Sequence, residues 1–210
     1  MPRTDSDLTS RARILESALE QLASRGSGGT SLRMIAGRAG VSPSLISHHF
    51  RSKAGMEVAV MAWVVERLRR AAYIALNGYR GGGGVAPLIS ALADQLEASP
   101  SMSNFIRRSF CDLPTDSANP LHDQLRSMLR DLLDVMEQRR LVGSAEDPDW
   151  RAAQVLVVLF GTLVLRPARR IQHLASVPDE TWAGHVKANI FLLEHGVIGS
   201  IGDPDSKPDQ

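Results

Sequence analysis

Apolar residues recur along the chain at three- and four-residue intervals, and strict apolar–polar alternation bounded by hairpin turn pairs is not evident, so the pattern predicts an all-α protein. Ile14, Leu15, Ala18, Leu19 and Leu22 predict a first helix over 9–25, which the glycines after Arg25 stop. A short second helix follows Ser31, burying Leu32, Ile35, Ala36 and Ala39 before Gly40 turns the chain. Ser42 caps a third helix with Pro43 at its first position, where the missing N–H has no helical partner to lose. It ends near Phe50, and Ser52 caps a long fourth helix through Met56, Val60, Val64, Leu68, Ala71 and Ala75.

Residues 77–78 and the glycines at 81–84 read as a surface loop. Beyond it, helices are expected over 87–98, 102–113, 121–140, 149–165 and 179–196, about nine in all. The domain division expected is 1–55, 56–198 and a polar, proline-bearing tail over 199–210 that is too polar to order. The segment 152–165 is apolar nearly all round, so as a helix it needs cover on two sides, with a partner subunit the natural second cover. The alternatives are a core helix of a monomer, or a buried strand over 155–160.

Charge refines this picture more through its placement than through its sum of +1. The first 55 residues hold eight basic side chains against four acidic ones, while the remainder is mildly acidic. A basic amino-terminal unit suits an anionic partner, although the same arginines could merely solvate a helix face. A single cysteine, Cys111, rules out an intramolecular disulfide, and the first residues lack the charged start and apolar stretch of a secretory signal. The longest apolar run, 155–165, is well short of the roughly 18 to 20 residues needed to span a bilayer. A cytoplasmic protein with no membrane association is expected.

The stretch 31–53 carries the chemistry. Two short helices joined through Gly40 have the arrangement of a helix-turn-helix. On the third helix, Leu45, Ile46, His49 and Phe50 can pack inward, whereas Pro43, Ser44, Ser47 and His48 share the other side. Small side chains let a helix settle into the major groove, and hydroxyls donate to base edges or phosphate oxygens. Leu45 could touch a thymine methyl or simply pack. His49 reads as a packed core histidine before it reads as a ligand.

No other site survives inspection. Val85-Ala86 stands after the glycines where a phosphate-binding loop needs Gly-Lys-Ser/Thr. The six histidines lack metal-ligand spacing, no Gly-x-Ser-x-Gly elbow occurs, and Cys111 has no base beside it in sequence. Metal, cofactor and enzymatic activity are therefore not expected. Met61, Trp63, Met102, Phe105, Ile106, Phe110 and Phe160 are flexible or aromatic residues that could line an apolar pocket, or be core alone. Arg107 and Arg108 could pair with an anionic ligand or be solvated.

The order and spacing of Ile35-Ala36, Ala39-Gly40-Val41-Ser42, His49-Phe50 and Ser52-Lys53 after a long first helix resemble the TetR family over about the first 60 residues. The Ile46-Ser47-His48 stretch is similar to the choline-sensing repressors of glycine-betaine synthesis within it. The resemblance implies an amino-terminal helix-turn-helix that reads a pseudo-palindromic operator in double-stranded DNA. It also implies a helical body that binds a small molecule, and a homodimer through the last two helices, here 149–165 and 179–196. It implies phosphate contacts from Ser31, Arg33, Ser47, His48 and Lys53, with Ser42 at the start of the reading helix and Pro43 and Ser44 toward bases. Ser47 stands where the family usually carries a tyrosine. The competing classes are a non-specific or architectural nucleic-acid binder, and a helical enzyme acting on small molecules.

Overall fold

The computed structural model describes residues 5–78, 86–111 and 119–165, and every regular element among them is an α-helix. They are α1 (Asp5–Arg25), α2 (Leu32–Ala39), α3 (Pro43–Phe50), α4 (Lys53–Gly78), α5 (Ala86–Glu97), α6 (Pro100–Cys111), α7 (Pro120–Gln138) and α8 (Pro148–Leu165). The all-α expectation holds, and the alternative strand over 155–160 is helical. The ninth helix expected over 179–196, the loop glycines at 81–84, Arg166-Pro167 and the tail over 199–210 lie outside the described residues.

Helix ends lie within two residues of the sequence reading except at α1, which begins earlier, and at α4, which runs on through residues 77–78. The sequence reading places those two residues in a loop, and the buried face of α4 also differs from it. Helix α1 begins four residues earlier, because its first turn, Asp5-Ser6-Asp7-Leu8, carries almost no apolar signal in the sequence. In α4 the buried stripe runs Met56, Val60, Val64, Val65, Leu68, Ala72 and Leu76, so Ala71 and Ala75 stand partly exposed beside it. A stripe kept at four-residue steps drifts around a 3.6-residue helix, and Val65 marks where it shifts.

Helix α4, 26 residues and about 39 Å long at 1.5 Å per residue, ties the two ends of the molecule together. Its start packs on α1 and α3, and its later turns pack on α5 and α7. A second connection is lateral: α1 lies along α6. Helix α7 buries Leu121, Leu125, Met128, Leu129, Leu132, Leu133 and Met136, and pairs with α8 through Ala152, Leu156, Leu159 and Phe160. Arg126 and Arg130 of α7 donate to the Asp149 carboxylate at 3.0 and 2.8 Å, and Arg151 of α8 reaches Glu137 at 2.9 Å. The opposite side of α8 is uncovered: Trp150 is 63% and Val157 68% exposed. Among the described residues no helix is long and apolar enough to cross a membrane.

Candidate nucleic-acid interface

Three hydroxyl caps and the left-handed glycine between α2 and α3 shape the helix-turn-helix part of the amino-terminal head. Ser31 Oγ accepts from the Met34 N–H at 3.3 Å and starts α2. Gly40 ends it at φ +64°, ψ +38°, a left-handed conformation that favours glycine, while the Val41 N–H returns to the Ala36 carbonyl at 3.0 Å. Ser42 Oγ accepts from the Leu45 N–H at 3.3 Å and starts α3 with Pro43 at its first position. Ser52 Oγ accepts from the Gly55 N–H at 3.0 Å and starts α4.

These caps fix which way α3 faces. Ile46 and Phe50 are buried, Leu45 and His49 are half-buried, and the Arg11 guanidinium sits 5.5 Å over the Phe50 ring. Ser42, Pro43, Ser44, Ser47 and His48 are exposed together on the other side, the division the sequence predicts. Ser42 Oγ and Ser44 Oγ share a 2.9 Å hydrogen bond, and Ser47 Oγ donates to the Pro43 carbonyl at 3.2 Å. The Ser31 hydroxyl, accepting at its oxygen, keeps its proton to donate outward. Arg33, on the first turn of α2, is exposed as well.

The tertiary structure gives two head cations partners within the protein, both near the surface. The Lys53 ammonium donates to the Ser27 carbonyl, and the Ser27 hydroxyl donates to Glu57 Oε1 at 2.6 Å, which ties the α1–α2 turn to the first turns of α4. Arg38 pairs with Glu20. Neither link is legible in sequence, since the partners stand 26, 30 and 18 residues apart.

In the body, Met102, Phe105 and Ile106 of α6 and Phe160 of α8 are buried. The Phe110 ring, half-buried, stacks on Phe160 with centroids 6.2 Å apart, and His122 meets its edge at 5.9 Å. Met61 and Trp63 are half-buried on α4. Trp63 lies 4.9 Å beneath the Arg67 guanidinium, which reaches Glu16 of α1 at 3.5 Å, so this ring belongs to the α1–α4 contact and stands apart from the Phe110–Phe160 pair. An open groove of about 420 Å³ between α4 and α7 is lined by Ala62, Val65, Glu66, Arg69, Asp123, Gln124 and Ser127, none of them in the predicted pocket set. Arg108, considered from sequence as a partner for an anion, donates to the Ser24 carbonyl at 3.3 Å and so sits at the carboxyl end of α1. Among the described residues no three His, Cys, Asp or Glu side chains gather where a metal ion could be held.

Known proteins share both halves of this arrangement. Residues 14–60 match the family model described as bacterial regulatory proteins, tetR family. Over 72 residues the chain is 46% identical to the HTH-type transcriptional regulatory protein RaaS of Mycobacterium tuberculosis, covering 34% of each protein. Over 68 residues it is 35% identical to the HTH-type transcriptional regulator BetI of Pseudomonas fluorescens, covering 32% of this chain and 34% of that one. These matches span about a third of the curated relatives' length. The fold extends further: the fatty acid degradation regulator FadR from Bacillus halodurans superposes with a TM-score of 0.70 at 16% identity, covering 89% of this chain and 99% of that one. With the helix-turn-helix framed as its caps dictate, residues 14–60 are similar to the amino-terminal domain of bacterial regulatory proteins of the tetR family, and the all-helical body behind them shares the fold of the FadR structure.

Proposed function

We propose that this protein is a sequence-specific DNA-binding regulator without enzymatic activity, acting in the cytoplasm as a repressor that a small molecule releases from a pseudo-palindromic operator. The observation that carries the reading is the joint exposure of Ser42, Pro43, Ser44, Ser47 and His48 on one side of a helix whose other side is anchored by Ile46 and Phe50. An exposed helix face of small polar side chains fits a major groove, with Pro43 and Ser44 toward bases and Ser31, Arg33, Ser47, His48 and Lys53 toward phosphates. Residues 1–55 form the reading unit, and 56–198 the sensing and dimerising body.

The uncovered Trp150 and Val157 side of α8 supports a homodimer, in which α8 and the segment 179–196 would pair with their counterparts. Two-fold symmetry then sets paired reading helices about 34 to 36 Å apart, one turn of duplex. Among the described residues of the body, the only buried polar side chains are Ser99 and Ser103, and the Ser103 hydroxyl is spent on the Leu96 carbonyl at 2.6 Å. A ligand inserted there would be chiefly apolar, met by residues such as Met102, Phe105, Ile106, Phe110 and Phe160, with Met61 and Trp63 nearer the head. Release follows if the ligand prefers a conformation whose reading helices are mis-spaced, and only by as much as its differential affinity.

Selection of bound duplexes from a random pool, followed by competition with unrelated DNA, tests the reading. An inverted repeat bound far more tightly than bulk DNA is expected. Equal affinity for all duplexes would make the protein an architectural binder instead.

A further inference from the structure

Between the reading helix and α4 the backbone does something costly. Arg51 has φ +63° and ψ −47°, and the Ser52 N–H donates to the Phe50 carbonyl at 2.7 Å, two residues back. That is the geometry of the γ-turn with a positive central φ, a rare and strained conformation that glycine would occupy with less strain. The chain nevertheless carries an arginine there, exposed, with its guanidinium making no hydrogen bond or ion pair among the described residues. Strained backbone of this kind persists where the surrounding structure holds it in place, and it clusters at binding and catalytic sites.

The surrounding charges sharpen the point. Of the cations on or beside α2 and α3, Lys53 is donated to the Ser27 carbonyl and Arg38 to Glu20, whereas Arg33 and Arg51 remain unpaired among the described residues. Arg51 directly follows α3 and comes three residues after the exposed His48, so it lies at the carboxyl end of the proposed reading face.

We propose that Arg51 is a DNA-backbone contact, a guanidinium held toward a phosphate by the strained turn that ends the reading helix. The inference rests on the DNA-reading function proposed above, and the sequence reading did not assign this residue. A fixed turn lowers the ordering cost of the contact, and the guanidinium offers two parallel donors to a phosphate.

The test compares wild type, Arg51→Gln and Arg51→Gly on the selected operator duplex and on a random duplex, over a series of salt concentrations, with thermal melting in parallel. Both variants should bind both duplexes about tenfold more weakly at low salt, and the log–log salt slope should fall by about 0.9 per bound reading head. Arg51→Gly should also melt higher than wild type, separating lost contact from lost fold. Wild-type operator binding with an unchanged slope in Arg51→Gln would overturn this inference alone. Failure of the wild type to bind any duplex would overturn the DNA-reading function with it.

Discussion

A β-carbon placed on Gly55 would lie 2.3 Å from the Phe50 carbonyl oxygen, the same oxygen that accepts the Ser52 N–H and closes the turn around Arg51. Phe50 cannot move to make room, because its side chain is buried and closes the inner face of α3. The close approach of Gly55 to Phe50 thus sets the angle at which the reading helix meets α4.

Gly55→Ala should therefore destabilise the head by about 2 to 3 kcal/mol, since the obstacle is backbone and not a side chain that can rotate away. Thermal melting reads the loss. A variant as stable as wild type would show that the junction between α3 and α4 relaxes freely.

Ser42 and Ser44 should separate stability from reading. Ser42→Ala removes the cap of α3 and should cost about 1 kcal/mol in chemical denaturation. Ser44 is exposed and caps nothing, so Ser44→Ala should stay within about 0.5 kcal/mol of wild type, yet weaken operator binding in a fluorescence-anisotropy titration. Unchanged affinity in the Ser44 variant would remove this residue from the contact surface.

Arg108 joins body to head. Its guanidinium at the Ser24 carbonyl places a cation at the negative end of the α1 dipole, and Arg108→Met should cost about 0.5 to 1.5 kcal/mol locally. Faster amide hydrogen exchange confined to the last turn of α1 and the following turn is the expected signature. Protection equal to wild type would mean that other contacts between α1 and α6 fix the head without this bond.

Val157→Asp sets a charge in the uncovered side of α8. If that side meets a second copy, sedimentation should show a monomer at concentrations where wild type is dimeric, and operator affinity should fall steeply because two half-sites are no longer read together. Thermal melting of the separated chain should remain cooperative, as Val157 is 68% exposed within one subunit. A variant that stays dimeric would place the subunit contact elsewhere.

The sequence by itself determined most of the described helices, the caps Ser31, Ser42 and Ser52, and the two faces of α3. Those depend on neighbours three or four residues away: Ser31 and Ser42 on the N–H groups of Met34 and Leu45, and the inward set Ile46 and Phe50 on helical spacing. Only the tertiary structure decided what each charged or aromatic side chain does once the helices meet. Lys53 turns to Ser27, Arg108 to the end of α1, Trp63 to Arg67, and Gly55 is pressed on Phe50. The reason is range: capping and periodicity are local properties of a chain, whereas the partners of a long side chain are set by which helices pack together, and no spacing within one helix encodes that.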